Sequence, residues 1–444
     1  MVLGLGRTGQ ATARALVAGG AQVSVWDDGN PAAVDGTTLH NPAQHGLAGF
    51  DALIMSPGIP LTHPQPHAAV LAAQAAQVPV FGDIELLYRQ EPDAPYIAIT
   101  GTNGKSTVTA LTGHLFHAAG LKPGVGGNLG PAALSLVREG KAPYVLELSS
   151  YQLDLCQSTR FNAAALLNLS PDHLARHGDF QGYVQAKLRI FDRQQLNDFA
   201  FISVDDEASK AVASALSRGG KHQVIPVSAL REQPNGISAV DGLLRFGDDP
   251  QPLLDLKQCR ANLPGRHNWA NAAFAAGMAR AMGLRRDQII AGLKTFRGLA
   301  HRQEDLGAAG PVRFINDSKA TNAEASQWAL GAFDDIYWVA GGQAKEGGID
   351  QLLDKLGQVR AVYLIGEAQD DFAKTLRTKA PTGLPVQKCG TLENATRLAY
   401  KEASEAGTGT ILLSPACASW DQFASFEARG DAFRALAEGY ISKT

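Results

Sequence analysis

The sequence predicts an α/β protein of three domains: a Rossmann-like domain, a central phosphate-loop domain and a second Rossmann-like domain. Short apolar runs that read as strands alternate with helical patterns along the whole chain. Two glycine-rich loops, Gly4–Gly9 and Thr100–Thr107, each lead into a helical pattern. Breaks at residues 91–95 (EPDAP) and at Phe296–Leu299 divide the 444 residues into 1–90, 91–297 and 298–444. These lengths sit near the ~150-residue domain norm.

Composition supports an ordinary soluble globular chain, with 45% apolar and 19% charged residues. The net charge is −3, both signs are spread along the chain and there is no basic stripe, which argues against a nucleic-acid partner. No uncharged apolar run approaches the ~18 residues of a membrane span. The N-terminus has no basic region or cleavage site, and Gly4, Gly6 and Gly9 suit a nucleotide loop better than a signal peptide. Cys156, Cys259, Cys389 and Cys417 lie far apart without metal spacing, so free thiols in a reducing cytoplasm are expected.

The first domain opens with MVLGLGRTGQ, a Gly4-x-Gly6-x-x-Gly9 loop. A helix pattern (ATARALVAGG) and a strand (AQVSVWDD) ending in Asp27 and Asp28 complete the start of a Rossmann-like unit. Only Met1–Leu3 precede the loop, so the natural start is expected a few residues upstream. Then follow the strand DALIMSPG, the helical HPQPHAAVLAAQAAQ, the strand VPVFGD and IELLYRQ. A lone loop of this kind holds NAD or another dinucleotide-like ligand, or makes a tight turn. The second phosphate loop argues against a nicotinamide dehydrogenase.

That second loop organises the chain. Ile97-Ala98-Ile99 reads as a buried strand and VTALTGHLFHAAG as a helix that stops at Gly120. Between them stand Thr100-Gly101-Thr102-Asn103-Gly104-Lys105-Ser106-Thr107. Backbone amides and a helix N-terminus face an anion there, a lysine adds a charge, and a hydroxyl can ligate Mg²⁺. The loop reads G-x-x-G-K-S and lacks the usual first glycine, since position 99 is Ile. The prediction is a bound nucleoside triphosphate. YVLELSS, AAALLNLS and FAFISVDD are strands, YVQAKLRIF is helical, and residues 223–260 read as short strands with turns. RHNWANAAFAAGMARAMG and RDQIIAGLKTF are helices.

Beyond Phe296–Leu299 the strands VRFINDS, IYWVAGG, RAVYLIGE, PVQKCG and TGTILLSP alternate with helices. Those helices are TNAEASQWALGAF, IDQLLDKLG, FAKTLRTKA, LENATRLAYKEA and ASFEARGDAFRALAEGYI. Such alternation implies a mostly parallel sheet.

In open α/β sheets ligands sit at the carboxyl ends of strands. Glu147 with Ser149-Ser150, Asp172-His173, Asn316-Asp317-Ser318-Lys319 and the run Ser414–Asp421 all stand at such ends. Each also has an ordinary reading: a surface ion pair for Glu147, a loop histidine for His173, a solvated lysine for Lys319. Lys187, in an amphipathic helix, is marked by nothing in its spacing.

Taken together, these motifs resemble the Mur ligases over essentially the whole chain. The carriers are GLGRTG, SPGI, GDIEL, ITGTNGKST, VGGNLG, LELSSYQL, DHLARH, AKLRIF, GRHNWANAAFA, HRQE, NDSKATN and SPACASWDQFASFEARG, in the family's order. The resemblance implies cytoplasmic peptidoglycan-precursor synthesis by a monomer that uses ATP and two Mg²⁺ ions to join D-Glu to UDP-MurNAc-L-Ala through an acyl phosphate. It implies that Gly101–Thr107, with Lys105 on the phosphates, and Asn271, Arg302 and Asp317 hold ATP. Arg7, Thr8, Asp27, Asp28, Gly58, Asn128 and His173 would meet the UDP substrate. Ser106, Glu147, His173 and Lys187, the last as a carbamate, would serve the metals. Lys319, Thr321, Lys345, Ser419 and Phe426 would select D-Glu. The implied catalytic set is Lys105, Glu147, His173, Lys187 and Lys319, so Lys105 and Lys319 must be joined by hinge closure.

Two positions depart from the family pattern. Ala175 stands where an aspartate is common, and Gly29 where some relatives carry a basic residue. The neighbouring enzymatic alternatives are another Mur ligase or folylpolyglutamate synthase, which lacks the ~90 residues ahead of the phosphate loop. A nucleotide-gated binding protein is the non-enzymatic alternative.

Overall fold

The computed structural model of the chain describes every residue except 30–31, 129, 248, 260–262, 264, 344–347 and 444. Three sheets lie in two compact units, one holding Met1–Cys259 and Arg266–Phe296, the other Arg297–Thr444. The first sheet is wholly parallel, in the order Thr37–Leu39, Val23–Trp26, Val2–Leu3, Leu53–Met55, Val80–Phe81. This is the Rossmann order. Short as it is, Val2–Leu3 is the central strand.

The second sheet has nine strands. From Gly124–Gly127 through Tyr144–Glu147, Tyr96–Thr100, Ala163–Leu166, Phe199–Ser203 and Gln223–Ser228 to Ile237–Val240 they run parallel. An antiparallel meander, Leu243–Phe246 and Leu254–Asp255, finishes the edge. The Tyr96–Thr100 strand is buried throughout, as an apolar run flanked by parallel neighbours must be. Its carboxyl end delivers the phosphate loop to the helix Lys105–Ala118.

The second unit carries six strands, in the order Glu304–Ala309, Val312–Asn316, Gly409–Leu413, Ile336–Gly341, Val359–Ile365, Val386–Gly390. All pair in parallel except the Glu304–Ala309 edge. Sequence reasoning missed that edge because EDLGAA lacks β-branched residues. It also missed Thr37–Leu39 and the helix Glu207–Gly219. The expected helix IDQLLDKLG is instead a 3-10 helix, Asp350–Gln358. Among the described residues the four cysteines are free, and no helix is long and apolar enough to cross a membrane.

Within the first unit a buried carboxylate pins the Asp83–Gln90 helix to the loop at 157–159. Glu85 accepts from the amides of Gln157, Ser158 and Thr159, the hydroxyls of Ser158 and Thr159, and Arg89 Nε. Burial pushes its pKa up, but the Ser158 and Thr159 hydroxyls and the amides outweigh it and hold Glu85 down at about 2. A depressed carboxyl stabilises the fold fully above its ordinary value of 4.5 and loses that contribution as pH falls toward 2. Glu85→Gln is therefore expected to cost about 3 kcal/mol at neutral pH. It should also flatten the acid limb of stability below pH 4.5, as read by denaturant unfolding at several pH values.

Candidate active site

The phosphate loop is shaped by close approaches. Gly104, the N-cap of the Lys105–Ala118 helix, has φ +86°, and a Cβ there would meet Asn271 Oδ1 at 2.7 Å. The positive φ favours glycine there, and the Asn271 side chain lies against the loop. No side chain caps this helix, and its first turn has no acid, so its amides and dipole suit an anion. Asn168 holds Asn103 from both sides, accepting from its amide at 2.8 Å and donating to its carbonyl at 3.1 Å. Thr102 Oγ1 lies 3.1 Å from the Tyr183 hydroxyl. Lys105 Nζ donates to Gly101 O and Thr102 O, each at 2.8 Å. Ser106 is buried in the first turn, with Thr107 next along the helix.

Lys187 comes up beneath this loop. Its side chain is buried, donates to Gly101 O at 2.9 Å and lies 4.6 Å from the Tyr183 ring centroid. Burial first, and then the Lys105 ammonium, lowers its pKa to about 7, while Asp172 and Glu147 act the other way. Glu147 ends the adjacent strand, buried, and accepts from Asn128 Nδ2 at 2.8 Å through Oε1, while Oε2 has no partner among the described residues. A buried carboxylate oxygen without a donor fits a cation ligand. Among the described residues no group of three or more His, Cys, Asp or Glu is spaced to hold a metal. Mg²⁺ in general binds through few carboxylates and keeps waters or phosphate oxygens. Ser106, Glu147 and a carboxylated Lys187 are the groups that would hold it.

His173 stands in the left-handed region (φ +51°), its side chain half exposed and its ring 5.1 Å from that of Tyr151. Its Nε2 is 3.4 Å from Asp172 Oδ2, so the neighbouring residue supplies a carboxylate. Ala175 is exposed. The structure places Asp172 in electrostatic reach of Lys187, and among the described residues no hydrogen bond or ion pair joins His173 to Lys187.

In the first sheet, Arg7, Thr8, Asp27, Asp28 and Gly58 line one pocket of about 730 Å³ at the strand ends. Asp27 accepts from the amides of Leu5 at 2.6 Å and Gly29 at 2.9 Å, so Gly29 belongs to the turn that Asp27 closes. Asp28 bonds His67, a lining residue that the sequence reading missed, at 2.7 Å. Hydrogen bonds from His67 and Trp26 hold Asp28 below the ordinary carboxylate range. Arg7 Nη2 reaches Asn128 O at 3.2 Å, which links this pocket to the Asn128–Glu147 pair.

In the second unit Lys319 Nζ sits 3.7 Å above the Phe426 ring centroid. The Thr321 amide donates to Lys319 O at 2.8 Å. Asp317 accepts from Ser414 Oγ at 2.8 Å and from the Gln303 amide at 3.1 Å. Burial pushes its pKa up to about 7 against those bonds and the Arg302 charge. Ser419 is buried in a loop that Arg429 grips. That arginine, also missed from sequence, donates to Ala418 O, Cys417 O, Ser318 O and Ser318 Oγ. Lys345 lies outside the described residues.

A glycine-lysine-serine loop at the end of a buried parallel strand, with a buried amine and a carboxylate oxygen unpartnered among the described residues beside it, marks an α/β protein of the phosphate-loop class. Residues 99–279 match the Mur ligase middle domain. The UDP-N-acetylmuramoylalanine–D-glutamate ligase of Caulobacter sp. (strain K31) is 48% identical, over 99% of this chain and 95% of that protein. The protein of the same name from Rhodospirillum rubrum is 45% identical, over 98% and 93%. Among solved structures, the UDP-N-acetylmuramate-alanine ligase of Thermotoga maritima superimposes with a TM-score of 0.59 at 17% identity, over 100% of this chain and 99% of that one. A pseudomurein peptide ligase from Methanothermus fervidus gives 0.57 at 17%, over 99% of each. These two likenesses concern the fold. The chain belongs to the Mur ligase family of ATP-dependent ligases.

Proposed function

We propose that this chain joins D-glutamate to UDP-N-acetylmuramoyl-L-alanine in cytoplasmic peptidoglycan-precursor synthesis, acting as a monomer. The observation that carries this reading is the convergence of Lys105, Lys187 and Glu147 on one phosphate loop, in a chain so similar to ligases of that name. Residues 1–90 would hold the uridine diphosphate moiety through Arg7, Thr8, Asp27, Asp28 and Gly58. Residues 91–297 would hold the triphosphate, and 298–444 the amino acid through Lys319, Thr321, Ser419 and Phe426, with Lys345 added from the resemblance. Asn271, Arg302 and Asp317 would meet the adenine nucleotide.

A carboxylate oxygen of the alanyl group attacks the γ-phosphorus, and ADP leaves with the electrons of the broken P–O bond. The D-Glu amine then adds to the acyl carbon, and phosphate departs with the C–O pair while the amine loses a proton. Anion meets anion in the first step, so positive groups must be fixed in advance. Lys105 supplies one at the phosphates, and Asn128 and His173 would face the acyl substrate. Two Mg²⁺ ions, when bound, would neutralise phosphate charge.

Phosphate release measured with ATP, the UDP substrate and each amino acid tests the reading. Rapid release is expected only with all three substrates and with D-Glu, whereas L-Glu should fall by as much as ~10⁴-fold. Comparable rates with L-Glu, L-Ala or meso-diaminopimelate would refute it.

A further inference from the structure

The Ser56–Pro60 segment rims the first-sheet pocket, and one side chain from elsewhere in the same unit holds it in place. Arg176, on the short helix Leu174–His177, is 9% exposed. Its Nη2 donates to Ile59 O at 2.7 Å and its Nη1 to His63 O at 3.4 Å. The guanidinium lies 5.0 Å from the Tyr151 ring centroid, and that ring lies 5.1 Å from the His173 imidazole. The Arg176 amide also donates to His173 O at 2.9 Å. Two residues on, Gly178 has φ +85°, and a Cβ there would come within 3.3 Å of His63 Nε2. The two segments are therefore packed closely along their length.

For stability alone this is a poor place for a cation, since burial disfavours the charge and outweighs the through-space attraction of Asp154, which makes no hydrogen bond to it among the described residues. The hydrogen bonds of Arg176 go to carbonyls, and its Nε has no partner among the described residues. A buried charge without a bonded counter-ion is costly, and a neutral side chain of similar volume would serve the packing as well or better. What only a guanidinium provides is two donors in a fixed plane, which fixes the spacing of two carbonyls.

We propose, on the basis of the ligase reading above, that Arg176 is a positioning residue for the UDP-linked substrate. It ties the segment that rims the pocket to the turn that carries His173. Filling the pocket and aligning the acyl end of the same substrate thereby become one event.

Steady-state kinetics on the wild-type chain, Arg176→Lys and Arg176→Ala, with each of the three substrates varied, test the proposal. Lysine keeps the charge but cannot span both carbonyls. The KM for the UDP substrate should rise roughly 10-fold or more in both variants, as for other residues that orient a contacting group. The KM values for ATP and D-Glu should stay within about 2-fold. Methylguanidinium should recover part of the lost affinity in Arg176→Ala and none in Arg176→Lys. An unchanged KM for the UDP substrate in Arg176→Lys overturns the proposal. So does a uniform loss across all three substrates that follows the folded fraction. A wild-type chain without three-substrate turnover would instead reject the ligase reading itself.

Discussion

Lys187→Ala is expected to lose turnover by at least ~100-fold, the scale on which a preorganised charge-stabilising group is felt. Part of the loss should return with bicarbonate or a short-chain carboxylic acid, and none with chloride at equal ionic strength. The buried amine donates to Gly101 O beside Lys105, where a second ammonium and a divalent cation would repel each other. Carboxylation by CO₂ replaces an N–H bond with N–C, releases a proton and turns the group into an oxygen ligand. Only the neutral amine reacts, and burial together with the Lys105 charge favours that form. An exposed helix lysine would change stability within about ±0.5 kcal/mol and leave activity alone. Wild-type turnover in Lys187→Ala therefore sinks the role. Loss of turnover without rescue by any acid would reduce it to packing.

Arg429→Ala should destabilise the second unit by about 3–5 kcal/mol. The side chain is 1% exposed and bonds Ser318 Oγ, Ser318 O, Cys417 O and Ala418 O. Burial pushes its pKa down to about 10, yet it stays charged at neutral pH. Removing it strands acceptors that hold the loop before Ser419 against the Asn316–Lys319 strand end. Arg429→Lys should recover only part, since one ammonium cannot reach the same acceptors in their plane. Denaturant unfolding of the variant and the wild-type chain reads the effect. A cost under 1 kcal/mol would show that water replaces the guanidinium.

Much of this site was legible in the sequence because it depends on backbone shape. Glycine at 101 and 104, followed by Lys105 and Ser106, spells a turn and a charge whatever surrounds them. Asp27, Asp28 and Gly58 were legible for the same reason, as polar and flexible residues at strand ends. Lys187 was not, because burial is a property of the packed helix. A trace existed: Tyr183, Val184 and Lys187 on the Phe180–Leu188 helix, and Ile190 and Phe191 in the 3-10 turn that follows, are all buried, so the lysine sits in an apolar stripe. Arg176 and Arg429 bond mainly carbonyls far away in sequence, and no local pattern announces that. His67 was hidden because HPQPH reads as part of the helical stretch that follows, whereas the helix begins only at Ala68. It caps the Ala68–Ala75 helix through Nδ1 and leaves Nε2 to Asp28.

Residues 91–95 read as a domain linker, polar and proline-bearing, but the structure ties them down. Glu91 accepts from the Tyr144 hydroxyl at 2.7 Å and from Arg138 at 2.5 Å, its carbonyl accepts from Tyr96 OH at 3.1 Å, and Ala94 is buried. Pro92 and Asp93 are exposed in a turn, but the bonds on either side leave little slack chain for a protease. Even a severed backbone would leave Glu85 gripping 157–159 from the other side of the cut. The first two sheets thus belong to one compact unit, and a chain divided between residues 90 and 91 would put Glu85 and the 157–159 loop that it holds on separate pieces.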